Sequence, residues 1–217
     1  MVKVKICGNR TKRDVQFGKD ASALGFIVDV PSSERSIGLK EAEEVFDSVP
    51  PFVDSVLVTT STDIDRICRM ATVLGPDYVQ LHADIPLSRL ESIRNAVEAT
   101  IGIIALVQVG ENRDQALAKA EALSETPVDC ILADTATESG SGGTGKVHDW
   151  SVSREVRDIV RPLPLILAGG LNPSNVGEAL RLVQPYAVDV ASGVEEDSKK
   201  SQKQIRDFIN EVRRFEA

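Results

Sequence analysis

Short apolar runs alternate along the chain with longer stretches in which apolar residues recur at helical spacing. The runs Val2–Cys7, Leu24–Val28, Val53–Val58, Tyr78–Leu81, Gly102–Val107, Cys130–Asp134, Pro164–Ala168 and Ala187–Val190 read as strands. The stretches Thr11–Ala21, Leu39–Ser48, Thr62–Leu74, Leu87–Val97, Asn112–Leu123, Ser151–Val160, Pro173–Leu182 and Ser198–Phe215 read as helices. Asn9 or Thr11 suits the cap of the first helix. Asn172 suits that of the seventh, with Pro173 in its first turn. Strands that alternate with helices pair in parallel through right-handed crossovers. Eight such units in an unbroken series predict a single-domain (β/α)8 barrel over residues 1–217. An open doubly wound sheet is the alternative.

A barrel carries its chemistry at the C-terminal ends of its strands. Those ends are Cys7, the loop with Arg35, His82, Gln108, Asp134, Gly169 with Gly170, and Ser192 with Gly193. Strand parity adds direction, because successive side chains point to opposite faces. Val4 and Ile6 would face the helices, which turns Lys5 and Cys7 into the barrel. The same parity turns Gln80, His82 and Asp189 inward and groups Asp134 with Leu132 and Cys130. Buried charges need partners. The first and last strands of a barrel are neighbours, so Lys5 is expected to pair with Asp189.

Composition narrows the function classes. Hydrophobic residues make up 42% of the 217 and charged residues 27%, as in ordinary globular proteins. The net charge of -8 argues against nucleic acid as a partner, because a phosphate backbone needs a basic surface. It leaves room for a small anion held by backbone N–H groups. Cys7, Cys68 and Cys130 lack the spacing of a disulfide framework or a metal site. Cys68 and Cys130 read as packing residues. With only His82 and His148 as histidines, no metal is expected. The segment MVKVKICG is too short and charged for a signal peptide, and no apolar run approaches a membrane span. A cytoplasmic protein without a membrane partner is expected.

Three glycine clusters follow late strands: SGGTGK at 141–146, GGLN at 169–172 and ASGVE at 191–195. Any one could be a plain turn. Three at the same end of adjacent strands predict a phosphate site, with GGLN as its cradle. SGGTGK, with Gly143, Thr144 and Gly145, then reads as a loop closing over a substrate. Cys7 at the end of the first strand is a thiolate candidate or a packed small hydrophobe. Asp134 is a general-acid candidate or a loop hydrogen-bonder. Arg35 could clamp a carboxylate or be a solvated surface arginine.

The motifs KICGN at 5–9, SERSI at 33–37, VQLH at 79–82, LADT at 132–135, SGGTGKVHDW at 141–150, LAGGLNPSNV at 167–176 and VDVASGVE at 188–195 together resemble the phosphoribosylanthranilate isomerase family. The resemblance implies a cofactor-free Amadori rearrangement of N-(5-phosphoribosyl)anthranilate in tryptophan biosynthesis, by a monomer or homodimer. It implies Cys7 as general base with a lowered pKa and Asp134 as general acid. Arg35 would hold the anthranilate carboxylate, with His82, Asp189, Gly143, Thr144 and Gly145 also on the substrate. The glycines at 169–170 and residues 192–194 would hold phosphate. The chain departs from the family pattern at Glu34, Ala83, His148 and Ala191. The alternatives are a histidine-pathway or dual-substrate aminoaldose isomerase and a non-catalytic phosphosugar-binding barrel.

Overall fold

A computed structural model describes residues 1–136 and 147–215. The barrel strands are β1 (Lys3–Ile6), β2 (Ala23–Val28), β3 (Asp54–Thr59), β4 (Tyr78–Leu81), β5 (Gly102–Val109), β6 (Cys130–Thr135), β7 (Leu165–Leu167) and β8 (Ala187–Val190). The helices that follow them in turn are α1 (Lys12–Gly18), α2 (Leu39–Phe46), α3 (Ile64–Leu74), α4 (Leu87–Ala96), α5 (Arg113–Ser124), α6 (Trp150–Val160), α7 (Val176–Val183) and α8 (Gln202–Phe215). Every barrel strand pairs in parallel with the next, and β1 pairs with both β2 and β8. That closes the sheet into the expected (β/α)8 barrel.

Two apolar layers follow from the strand parity. Val4 and Ile6 point outward into the larger layer, among Phe26, Ile67, Leu180 and Phe208. Cys7 belongs to the inner layer with Val56, Val58, Ile104, Leu106, Cys130, Leu132 and Ile166. Branched side chains fill the barrel floor and leave its mouth for polar groups. The register sets Lys5 opposite Asp189 across the β1–β8 seam.

Caps fix where helices begin. At α1 it is Thr11 that caps, in a reciprocal box with Asp14. Asn9 instead ties the chain down from within, its side-chain N–H group donating to the Ile6 and Gly25 carbonyls. Two expected helix starts move by three residues or more. Asn172 accepts from the Ser174 N–H, and Asn175 accepts from the Asn172 N–H. These bonds hold 172–175 as a turn, so α7 starts at Val176 with Asn175 at its cap and not Asn172. The last helix starts at Gln202 and not Ser198. Before it, Glu195–Glu196 and Lys199–Lys200 pair antiparallel around Asp197 and Ser198, whose φ values are 49° and 57°. That hairpin claims the backbone bonds a longer helix would use.

Phe208 on α8 is fully buried in the outer layer. Phe208→Ala is expected to cost about 3–5 kcal/mol, read as a lower urea midpoint at unchanged slope.

Candidate active site

At the C-terminal mouth of the barrel lies a cavity of about 500 Å³. Small-molecule sites are typically ~300–1,000 Å³. Its walls bring together Cys7, Arg35, His82, Asp134, Gly169, Gly170, Asp189 and Ser192 from six strand ends and loops. All eight are residues singled out in the sequence. Gly193 and Val194 continue the short 3-10 turn that begins at Ser192, behind the wall. A Cβ at Gly193 would strike the Leu171 carbonyl, so this glycine lets the loops after β7 and β8 touch. Gly143, Thr144 and Gly145 lie outside the described residues.

The floor is a charge pair. Lys5 Nζ donates to Asp189 Oδ1 at 3.0 Å, with both side chains buried. This is the pairing that parity and barrel closure predicted. Burial by itself pulls the Lys5 pKa down, but Asp189 and then Cys7 outweigh it, and the ammonium is held above its ordinary value. Gly25 of β2 makes room for this group. A Cβ there would sit 2.9 Å from both Cys7 Sγ and Lys5 Nζ.

The expected lowering of the Cys7 pKa is corrected by the structure. Burial pushes the thiol up, and Asp189 adds to the rise. Lys5 and Lys200 pull the other way without reversing it. Sequence proximity to a lysine suggested an activated thiol. The physics missed there is that the lysine's charge is shared with a carboxylate, while the thiol itself is buried.

Asp134 stands at the end of β6. The Thr135 N–H donates to its Oδ1 at 2.7 Å, and His82 Nε2 lies 3.6 Å from its Oδ2. Burial raises the carboxyl's pKa and Asp189 raises it further, against the opposing pull of His82. Gln80 Nε2 lies 3.2 Å from His82 Nδ1 and holds the ring. On the far side of Thr135, its hydroxyl meets His148 Nδ1 at 2.9 Å, and His148 Nε2 meets Ser153 Oγ at 2.6 Å. Burial pushes the His148 pKa down to about 4.

Gly169 and Gly170 adopt φ values of 87° and 66°, turning the backbone sharply after β7. Among the described residues, no three His, Cys, Asp or Glu side chains converge as metal ligands. Sequence reasoning missed Glu195 and Lys200. Arg35 donates through Nε and Nη2 to the Glu195 carboxylate, with Nη2–Oε2 at 2.7 Å. Lys200 Nζ donates to Glu195 Oε1 at 2.8 Å and to the Ala191 carbonyl at 2.9 Å. The step from acidic to basic residues in EEDSKK was the available signal, but it reads equally well as a solvated helix start.

Two predictions follow from this electrostatics. Alkylation of Cys7 followed across pH by peptide mass spectrometry is expected to give a midpoint above the usual thiol value of about 8.5. In Lys5→Met it moves higher still, because the cation that opposes the rise is gone while Asp189 remains. His148 is buried neutral, so its contribution to stability is complete above its unfolded pKa of 6.5 and is lost as pH falls toward about 4. Urea unfolding at pH 7 and at pH 4 is expected to show a fall that is ~3 kcal/mol smaller in His148→Phe than in the parent.

Comparison with known proteins agrees with this architecture. The family described as N-(5'phosphoribosyl)anthranilate (PRA) isomerase matches residues 4–211. The N-(5'-phosphoribosyl)anthranilate isomerase of Methanosarcina acetivorans is 40% identical over 97% of this chain and 93% of its own. The crystal structure of phosphoribosyl anthranilate isomerase from Thermotoga maritima superposes with a TM-score of 0.83 at 35% identity, covering 98% of this chain and 99% of that one. A further solved isomerase of this name was crystallised with reduced 1-(o-carboxyphenylamino)-1-deoxyribulose 5-phosphate. It superposes with a TM-score of 0.80 at 33% identity, over 98% of this chain and 99% of that one. The chain belongs to the N-(5'-phosphoribosyl)anthranilate isomerase family, whose members are aldose–ketose isomerases.

Proposed function

We propose that this chain converts N-(5-phosphoribosyl)anthranilate to 1-(o-carboxyphenylamino)-1-deoxyribulose 5-phosphate, with Asp134 as general acid and Cys7 as general base, as a step in tryptophan biosynthesis. The observation that carries this reading is the meeting, on the walls of one cavity, of a buried thiol and a carboxyl whose pKa burial raises. The solved relative that holds the reduced product analogue supports the substrate class.

The chemistry assigns each group a proton. Asp134 gives its proton to the ribose ring oxygen as the C1–O bond breaks and the anilino nitrogen forms a C=N bond to C1. The cationic Schiff base acidifies the C2 proton, and the Cys7 thiolate removes it. The electron pair left at C2 forms the C1=C2 double bond and neutralises the nitrogen. The enol at C2 then tautomerises to the ketone, with a proton delivered to C1. A high carboxyl pKa suits the first step, because an acid must still hold its proton to give it. Lys5 stabilises the thiolate once formed, and Asp189 fixes Lys5. His82 lies against Asp134 and steadies the carboxylate after donation.

The phosphate is assigned to the backbone of Gly169, Gly170, Ser192, Gly193 and Val194. The ring carboxylate is assigned to Arg35. His82 and Asp189 line the cavity between these ends, and Gly143, Thr144 and Gly145 are assigned to the covering loop. No cofactor enters any step.

The thiolate–carboxylic acid form is the less populated arrangement of one proton on the pair. A thiol starts near 9.0 and a carboxyl near 3.8, and burial moves both in the same direction. The rate therefore rises with pH up to the Asp134 pKa, stays level, and falls beyond the Cys7 pKa. The test generates the substrate in place from anthranilate and phosphoribosyl pyrophosphate with the preceding transferase, and follows its fluorescence loss. Turnover by the parent is expected, with kcat lowered at least ~10²–10⁴-fold in Cys7→Ala and in Asp134→Asn. The kcat/KM profile is expected to keep its basic limb above pH ~9. Absence of turnover by the parent, with a histidine-pathway aminoaldose accepted instead, would overturn the substrate. Phosphosugar binding without turnover of either would overturn the catalytic reading.

A further inference from the structure

Arg35 reaches the cavity from the loop after β2, but its position is set by another loop. Its aliphatic stem crosses Gly8, which has a φ of 76°, and a Cβ there would lie 2.7 Å from Arg35 Cδ. Its guanidinium meets Glu195, beyond β8, edge on. Nε donates to Oε1 at 2.9 Å and to Oε2 at 3.1 Å, and Nη2 donates to Oε2 at 2.7 Å. The Glu195 side chain is 5% exposed and that of Lys200, behind it, 1%. Lys200 is itself fixed by the Ala191 carbonyl. Arg10 binds the two loops together from outside, donating to the Glu34 carbonyl at 3.2 Å and to the Ser198 carbonyl at 2.6 Å.

A planar guanidinium has two edges that can each take a carboxylate with paired N–H groups. Glu195 occupies the side edge, formed by Nε and Nη2. The end edge, formed by Nη1 and Nη2, is not the one used by Glu195. A free arginine side chain carries rotamer entropy that a binding site must otherwise overcome each time it orders the group. Here the ordering is built in. The charges also fit this arrangement: one carboxylate faces two cations, so it fixes Arg35 without cancelling the attraction for an incoming anion.

We infer that Glu195 is a positioning residue: backed by Lys200, it grips the side edge of Arg35 and so presents the end edge as a preformed receptor for the substrate's ring carboxylate. This rests on the proposed assignment of Arg35 to that carboxylate. It adds the reason that Arg35 is aimed, and it names the two residues that set the enzyme's preference for an ortho-carboxylated aromatic amine.

The test compares two stable ligands by calorimetry. One is the reduced product analogue, and the other is its counterpart without the ring carboxylate. The parent is expected to bind the carboxylated ligand more tightly. In Glu195→Gln that preference is expected to fall about tenfold, with binding of the carboxylate-free ligand unchanged. The double variant Glu195→Gln/Lys200→Met is expected to behave alike, and it leaves no buried ammonium without its carboxylate if the single change weakens the fold. Arg35→Met is the control. Equal weakening of both ligands in the Glu195 variants marks a purely structural role and overturns the inference. An unchanged preference in those variants, with loss in Arg35→Met, overturns it while leaving the Arg35 assignment standing. An unchanged preference in Arg35→Met overturns both.

Discussion

The seam between β1 and β8 carries a buried ion pair, and most of the site is organised around it. Lys5 and Asp189 face each other in register, so closing the barrel brings the charges together. A pair in this position is a poor source of net stability, since desolvation offsets most of the attraction. Removing one partner is another matter, because the survivor is left buried and uncompensated. Closure, charge pairing and the environment of Cys7 are therefore one event. Gly25 on the neighbouring strand completes it by leaving the space that the thiol and the ammonium share.

The same burial that packs the mouth raises the pKa of both the thiol and the Asp134 carboxyl. For a catalytic acid the change helps, and for a catalytic base it hurts. Burial of both groups sets up this conflict, and cations near the thiol ease it. Lys5 and Lys200 are those cations. Their placement sets positive charge beside the thiol within a chain of net charge -8. What matters is the local field at the mouth, not the sum over the surface.

Much of this was legible in the sequence, for one physical reason. Period-two alternation along a strand fixes which residues face the barrel, and the order of eight strands fixes which ends meet. Lys5, Cys7, His82, Asp134 and Asp189 could be placed from these two facts alone. What the pattern could not convey was desolvation, which depends on everything that surrounds a group. Hence the thiol's shift was expected with the wrong sign. Nor could it separate a helix start from a hairpin in SGVEEDSKKSQ, because both are polar and charged. Glu195 and Lys200 were hidden in that ambiguity. The turn at Asn172–Asn175 was hidden in another, since an asparagine before proline serves a cap and a turn equally well.

Ala191, Glu34, Ala83 and His148 show which interactions around the site depend on side chains and which do not. Ala191 contributes its carbonyl, which accepts from Lys200. Glu34 contributes its carbonyl too, which accepts from Arg10. Ala83 packs at the edge of the outer core. In these three places the observed contact is made by backbone or a methyl group, and it survives a change of residue. His148 is different, because its ring bridges Thr135 to Ser153 and so ties the residue that donates to Asp134 onto α6. An apolar aromatic there could fill the same space but could not hold Thr135. The ring thus serves as a hydrogen-bonded strut, and burial keeps its imidazole neutral.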